Sequence, residues 1–439
     1  GFLRVPHEAL ISTMQANQKF FALKTPEGAL SEHFVGIANI ESRDVAQIRK
    51  GYERVIRPRF ADAQFFFDED LKQGIASMAD GLASVTYQQK LGSYADKTAR
   101  IAALAEDIAA RLGMDAAQAR RAAALSKADL QSRLVGEFPE LQGIAGRYYA
   151  KAGGEPDAVA DAIDEAYLPR FAGDAIAATK LGQVLAIAER LDTLAGGFAA
   201  GLEPTGNKDP FALRRNALGL ARTLLEGGFE LSLEELLDHA RKLQPGYEAN
   251  AFTDDQLQSA YLKLLALKVF VMDRMRAYFN SQSFNEQLFD AVDSIKVRHS
   301  GLGMTLPDFA KRLSAIAEFT KLPEAPALAA ANKRIGNILK KSASEEAEKV
   351  SEDLLQEQAE KDLWQAIQSV ERSNAAKLQA RDYVGVLQAL AGLRVPVDAF
   401  FESVMVNADD AAVRGNRLAL LRTIARQFNA VGDISLLAT

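Results

Sequence analysis

The sequence feature that most constrains the fold is the helical spacing of apolar residues, which continues from about residue 44 to the C-terminus. Alanine and leucine are abundant there, and apolar positions recur every three to four residues, which is typical of amphipathic helices with one buried face. Two of the clearest stripes are Ile101, Leu104, Ala105, Ile108 and Leu213, Ala217, Leu220, Leu224. The pattern predicts a mainly α protein.

The first 68 residues depart from this pattern. Residues 20–24 and 34–38 are rich in β-forming side chains, and a turn signal at residues 25–28 separates them. This arrangement predicts a β-hairpin. We therefore expect a small α+β N-terminal part over residues 1–68.

Loop signals divide the remaining chain into three helical parts. Gly227 and Gly228 end one helix, and a loop marked by glycine and proline occupies residues 301–307. Near the C-terminus, we expect one long charged helix over residues 342–370. We also expect a single helix over residues 381–406 that pairs with a helix over residues 409–429. We expect a helical domain, a helical connector and a C-terminal helical bundle, with the bounds 69–230, 231–300 and 301–439.

Composition limits the classes of function. The chain has 439 residues, 48% of them hydrophobic and 25% charged, which is ordinary for a globular protein. Its net charge of −6 argues against a globally basic surface but permits a local basic stripe for a nucleic acid. The absence of cysteine excludes disulfides and thiolate metal sites and fits a cytoplasmic location. No apolar run has the length of a membrane span, so we expect no membrane partner.

A basic cluster surrounds a strong helix start at residues 206–215. Asp209 is a suitable N-cap, and Pro210 fits the first helical position. Lys208, Arg214 and Arg215 crowd the first turns, where the helix dipole is already positive and favours anions. We infer an anionic partner there, with a phosphate backbone as the candidate; the alternative is a solvated helix start with two surface arginines.

Two further basic clusters are candidates for contact with RNA. The cations of the first cluster are Arg49, Lys50, Arg54, Arg57 and Arg59. Tyr52 lies among them, and Phe65–Phe67 follow them in the chain. Arginine binds phosphate and stacks on bases, so this cluster is a candidate for contact with RNA. Alternatively, these arginines form ion pairs with Asp62, Asp68 and Asp70. We expect the three phenylalanines to be core residues. The second cluster lies in the C-terminal part and comprises Lys333, Arg334, Asn337, Lys340, Lys341, Arg414, Asn416 and Arg417.

The sequence offers no evident catalytic or metal centre. None of the four histidines, His7, His33, His239 and His299, lies within residues 69–230, and they form no ligand pattern. No phosphate-binding loop motif or Ser-His-Asp grouping is present. We expect neither a catalytic residue nor a metal ligand in this chain.

Several sequence blocks carry a family resemblance. KDPFALRR at residues 208–215, MQANQKFF at 14–21, RPRFADAQFFF at 57–67, LGSYADKT at 91–98 and LDTLAG at 191–196 occur in the order typical of one family. They resemble the β-subunit family of bacterial tetrameric glycyl-tRNA synthetases. That family is much longer at its N-terminus, so we expect this chain to be a fragment that starts in mid-protein.

The resemblance extends to two domains. Residues 125–130 and 186–192 are similar to histidine–aspartate (HD) phosphohydrolases, in which paired histidines and aspartates hold a divalent metal ion. Here Ser126 and Lys127 occupy the place of the His-Asp pair, and only Asp129 and Asp192 remain, so we expect a catalytically degenerate scaffold or RNA-contacting surface. The C-terminal part is similar to the helical anticodon-binding domain named DALR.

The resemblance implies a function. The family's β subunit binds glycine tRNA and is a partner of the α subunit in an α2β2 glycine–tRNA ligase. ATP and Mg act at the α subunit, so no cofactor is expected in this chain, which lacks an adenylate-forming site. The alternatives are a helical protein-interaction scaffold and an HD-type metal phosphohydrolase. The candidate tRNA-binding residues are Arg54, Arg57, Arg59, Lys127, Lys208, Arg214, Arg215, Lys333, Arg334, Asn337, Arg414 and Arg417.

Overall fold

The protein is described by a computed structural model that covers residues 1–438 apart from residue 42 and residues 248–253, 296–303 and 343–348. Within these residues the chain forms α-helices and two short two-stranded antiparallel sheets, which confirms the predicted mainly α fold. The chain divides into two compact units, formed by Gly1–Gly227 with Leu236–Val271 and by Gly228–Glu235 with Met272–Thr439. The four-part division stays a prediction, because each unit contains residues from more than one predicted part.

The first unit contains the predicted β-hairpin. Strands β1 (Phe21–Lys24) and β2 (Leu30–Val35) pair in antiparallel register, and Gly28 takes a positive φ of 88° in the turn between them. The second strand ends earlier than residue 38, because its last residue, Val35, already pairs with the first residue of β1. The hairpin is confirmed, and the bounds of its second strand are corrected.

Helices make up the rest of this unit, together with the short strands β3 (Thr86–Gln88) and β4 (Gly92–Ser93). Helices α11 and α12 have residues in both units. The helices are α1 (His7–Ser12), α2 (Val45–Gln73), α3 (Ile75–Gly81), α4 (Tyr94–Arg111), α5 (Ala116–Leu125), α6 (Arg133–Glu137), α7 (Ile144–Ala152), α8 (Asp157–Glu165), α9 (Lys180–Ala200), α10 (Leu213–Glu226), α11 (Leu233–Lys242) and α12 (Asp254–Ser281).

Helix α9 forms the centre of this unit. Of its 21 residues only Lys180, Glu189 and Ala199 are not buried. Its glycines and alanines let α4, α8 and α10 pack closely around it, so that Leu213 of α10 lies directly against Gly197. A helix buried on nearly all sides must provide a partner for every charged residue that it carries.

The second unit is a helical bundle. Its helices after α12 are α13 (Glu286–Asp293), α14 (Leu306–Phe319), α15 (Ala325–Lys341), α16 (Gln358–Gln379), α17 (Tyr383–Ala391), α18 (Arg394–Ser403) and α19 (Ala411–Phe428). Phe279, Phe289 and Phe309 form an aromatic cluster in its core. Among the described residues no single helix is long and apolar enough to cross a membrane, although the bent pair α17 and α18 together meets that test.

Two helix predictions in this unit are wrong. The single helix predicted over residues 381–406 is two helices, because α17 ends at Ala391 with Gly392 as its C-cap and Pro396 is accommodated in the first turn of α18. Residues 343–348 of the charged helix predicted over residues 342–370 lie outside the described residues. Residues 349–357 form no α-helix, and α16 begins at Gln358, where Glu357 and Glu360 form a capping box. Residues 301–303, at the start of the predicted boundary loop, lie outside the described residues.

We expect the aromatic cluster to dominate the stability of the second unit. Phe309 is buried, and its ring centroid lies 4.8 Å from that of Phe289. Phe309→Ala should lower the free energy of unfolding by about 3–5 kcal/mol, because it leaves a cavity in the core. Urea denaturation followed by fluorescence of Trp364, the only tryptophan, checks this. Met405→Ala, at a side chain that is 75% exposed, is the control and should change stability by less than about 0.5 kcal/mol.

Candidate nucleic-acid interface

The N-terminal half of α2 carries an exposed basic face. Residues 45–59 contain five arginines or lysines and one carboxylate, Glu53. Arg54, Arg57 and Arg59 are all exposed, and within the described part of the chain none of them has a hydrogen-bond or ion-pair partner. These three guanidinium groups are therefore free to bind an external anion.

Two of the carboxylates that could have paired with these arginines have other partners. Asp68 accepts a hydrogen bond of 2.7 Å from Arg4. Asp70 is buried, and it accepts hydrogen bonds from the backbone N–H of Leu134 and from the hydroxyl of Tyr149. The alternative in which the α2 arginines form ion pairs within the chain therefore does not hold for Asp68 or Asp70.

The phenylalanines that follow the arginines are not all in the core. Phe67 is buried and its ring stacks on that of Tyr149, but Phe65 is 58% exposed. Phe65 follows Arg54 by about three helical turns, so both lie on the same face of α2. The expectation that Phe65 is a core residue is wrong. The exposed side of α2 therefore carries an aromatic ring as well as cations, a combination that suits unpaired bases and phosphates.

The start of α10 differs from the sequence prediction. The helix begins at Leu213 and not at Pro210, after Ala212 in a left-handed conformation with a φ of 52°. The Asp209 carboxylate accepts hydrogen bonds from the backbone N–H groups of Leu213 (2.8 Å) and Arg214 (2.9 Å). The positive end of this helix is thus already met by a carboxylate of the same chain, and the dipole gives no reason to expect an external anion there.

The cations around this helix start differ in accessibility. Lys208 and Arg215 are exposed. Arg214 is half-buried, and its guanidinium donates a hydrogen bond of 2.6 Å to the carbonyl oxygen of Gly206. Lys208 and Arg215 therefore stay candidates for contact with RNA, whereas Arg214 is held in the local loop.

Burial removes two of the predicted RNA contacts from the surface. Lys127 is buried, with its Nζ atom 3.3 Å from the carboxylate of Glu189 and 3.9 Å from the centre of the Tyr167 ring. Arg417 is buried, and its Nε atom donates a hydrogen bond of 2.8 Å to Glu360. Both are internal ion-pair residues, which corrects their prediction as RNA contacts.

The remaining C-terminal candidates lie mainly on α15. Lys333, Arg334 and Asn337 are exposed, and the guanidinium of Arg334 lies over the Phe401 ring at 4.1 Å from its centre. Arg414 of α19 is half-buried and donates a hydrogen bond to the carbonyl oxygen of Ala408. One face of α15 thus brings together a lysine, an arginine and an amide side chain near an aromatic ring.

A buried ion-pair network holds the centre of the first unit. The Asp192 carboxylate accepts hydrogen bonds from Lys97 (3.0 Å), Arg100 (2.5 Å) and Gln244 (3.1 Å). Sequence reasoning noted Asp192 but missed its partners, because they lie far from it in the chain. The available signal was the presence of charged residues, such as Lys97, within otherwise apolar helical stripes.

This network does not fit a divalent metal ion. Asp192 faces Lys97 and Arg100, and Asp129 accepts hydrogen bonds from the backbone N–H groups of Gly143 and Gly146. Within the described ranges, no group of three or more histidine, aspartate or glutamate residues is placed to hold a metal ion. Lysine and arginine at these positions would repel a cation, so we derive no metal-dependent chemistry here.

The charges of the network shift the protonation equilibria of its members. The partly buried position of Glu189 favours its protonated form, but Lys127 and Lys97 outweigh this effect and lower its pKa to about 2. Burial raises the pKa of Asp129 to about 6, although backbone N–H groups partly oppose the shift. Glu189 is therefore a carboxylate at neutral pH that compensates two buried lysines.

Comparison with known proteins identifies two family models in the chain. Residues 1–294 match the family model of the glycyl-tRNA synthetase β subunit, and residues 328–434 match that of the DALR anticodon-binding domain. The chain is 56% identical over its full length to the glycine–tRNA ligase β subunit of Xanthomonas campestris pv. campestris strain 8004, covering 62% of that protein. The corresponding subunit of Xylella fastidiosa strain 9a5c is 49% identical over 99% of the chain, which covers 62% of that relative.

These matches assign the chain to the class of aminoacyl-tRNA synthetase components. The chain belongs to the glycyl-tRNA synthetase β-subunit family. It spans about 62% of the length of the curated relatives named above.

The pKa of Glu189 predicts how the stability of the first unit depends on pH. Because this pKa is lower than its ordinary value of 4.5, the carboxylate stabilises the folded state above about pH 4.5, and this contribution is lost as the pH falls towards 2. Glu189→Gln should be less stable than the wild type at pH 7, and the difference should shrink as the pH is lowered from 5 to 3. Urea denaturation followed by circular dichroism at each pH measures the difference. A constant difference across this range would contradict the prediction.

Proposed function

We propose that this chain binds glycine tRNA as part of a glycine–tRNA ligase. The observation that carries the proposal is the combination of β-subunit family membership with a match to the anticodon-binding domain over residues 328–434. The exposed, unpaired arginines of α2 add a surface of the charge that a phosphate backbone requires. The overall charge of −6 does not oppose this, because phosphate contacts depend on the local field.

We infer that the contribution of this chain to catalysis is positioning. Glycine and ATP, with Mg, would react at the α subunit of an α2β2 complex, and this chain would hold the acceptor end of the tRNA near the adenylate. Fixing two reactants in a productive geometry converts a bimolecular step into an effectively unimolecular one. We expect this function in the cytoplasm, without an adenylate-forming site in this chain.

A protein-binding scaffold is the second candidate, and one observation favours it. A groove of 970 Å³ between β2 and the start of α2 is lined by solvent-facing apolar side chains together with charged ones, among them Arg49, Glu53 and Arg57. Ile40 there is 73% exposed and Val45 is 65% exposed. Binding of a protein partner to such a surface would depend little on salt, whereas binding of tRNA through phosphates weakens steeply as salt rises.

The α2 arginines should contribute to binding of any tRNA. Arg57→Gln/Arg59→Gln should weaken binding of glycine tRNA and reduce the slope of log K against log salt by about 1 for each phosphate contact that is lost. Fluorescence anisotropy with labelled tRNA across a salt series measures both quantities. Arg120→Gln/Arg121→Gln removes the same charge from arginines paired with Glu106 and Glu155, and it should keep the wild-type slope. Equal slopes for all three proteins would contradict this role.

The exposed face of α15 should read the anticodon. The wild-type chain should bind glycine tRNA more tightly than the same tRNA with an exchanged anticodon, and Arg334→Gln should reduce this preference by about tenfold through loss of a stacking and hydrogen-bonding group. Competition binding with the two tRNAs measures the preference. Lys321→Gln, at an exposed lysine paired with Glu318, is the control and should keep the preference. Equal binding of both tRNAs by the wild type would exclude anticodon reading by this chain.

A further inference from the structure

A polar cavity of 270 Å³ lies in the first unit, between the loop that follows α8 and the start of α10. It does not include the α2 arginines. Arg215, at the start of α10, is exposed, so the cavity is open to solvent at that side. The charged and aromatic residues that line it are Lys127, Tyr167, Arg170, Glu189, Arg190 and Arg215.

The lining is strongly positive. It includes four cationic side chains and one carboxylate, that of Glu189. Glu189 is shared, because both Lys97 (3.4 Å) and Lys127 (3.3 Å) form ion pairs with it. Arg170 pairs with Asp164, which is not part of the lining. The carboxylate in the wall therefore cannot balance the remaining cations of the cavity.

Arg190 is the least compensated of these cations. It is only 4% exposed, and its two terminal nitrogens donate hydrogen bonds to the backbone carbonyl oxygens of Ala166, Ala186, Tyr167 and Pro169. Its Nε atom is buried without a hydrogen-bond partner, and so is the hydroxyl of Tyr167. Within the described residues Arg190 has no carboxylate at ion-pair distance, although a buried charge without such a partner is costly.

The protonation equilibria agree with this shortage of negative charge. Burial, together with the neighbouring Arg215, lowers the pKa of Arg190 to about 10. Burial also lowers the pKa of Lys127, despite its contact with Glu189. An anion in the cavity would stabilise the charged form of both side chains.

We propose that this cavity binds a single phosphate group, with Lys127 and Arg190 on its inner wall and Arg215 at its mouth. The Arg215 guanidinium matches the geometry of phosphate oxygens, whereas Lys127 and Arg190 add positive charge behind it. The group could come from inorganic phosphate or from a phosphate monoester such as a nucleotide. The site shares Arg215 with the candidate RNA contacts at the start of α10, but neither α2 nor α15 contributes to it.

Isothermal titration calorimetry at constant ionic strength tests the proposal with the whole chain. Inorganic phosphate and AMP are the probes, and adenosine is the blank. We expect saturable binding of one equivalent, weakened about tenfold in Arg215→Gln and lost in Arg215→Glu, because the charge at the mouth is removed and then reversed. Arg215 is exposed, so both variants should fold, and circular dichroism confirms this.

The controls separate the cavity from general surface charge. Arg120→Gln and Arg120→Glu make the same charge changes at an exposed arginine outside the cavity, and they should bind both probes like the wild type. Binding of AMP alone would support the site and identify a phosphorylated nucleoside as its ligand; binding of phosphate alone would identify the free ion. No saturable binding of either probe, or equal binding by the wild type and Arg215→Glu, would overturn the proposal. The tRNA experiment uses Arg57 and Arg59, so the two proposals can fail independently.

Discussion

The buried carboxylate of Asp192 on α9 fixes how the first unit packs. A charge in the core is tolerated only when opposite charges and hydrogen-bond donors surround it, and loss of one partner costs about 3–5 kcal/mol. Lys97 and Arg100 of α4 and Gln244 after α11 provide these partners. Because each bond has a required distance, α4 can pack on α9 in one register only. The apolar contacts around α9 supply most of the burial, but they are less specific.

The same network determines what this unit can bind. Lys97, Arg100 and Lys127 lie around the carboxylates of Asp192 and Glu189. This arrangement favours anions over cations. The cavity beside Arg190 continues the same trend, since its wall has more cations than carboxylates.

Exposure separates the basic residues into two groups. Arg54, Arg57 and Arg59 project from α2 into solvent, where a phosphate backbone could reach them. Lys127 and Arg417 have the same charge but lie inside the protein, where each neutralises a glutamate. Sequence-distant partners cause this difference, because the carboxylates that they meet lie 57 or more residues away along the chain. A chain with a net charge of −6 can thus present a basic surface locally.

The sequence alone determined the helical class, the N-terminal hairpin and the family, because apolar spacing, turn residues and long motifs are local signals. It also located the α2 arginines as a candidate surface. Only the tertiary structure decided that Phe65 faces solvent, that Lys127 is internal and that α10 begins at Leu213. These outcomes depend on which side chains meet across the fold, and the order of residues along one helix does not contain that information.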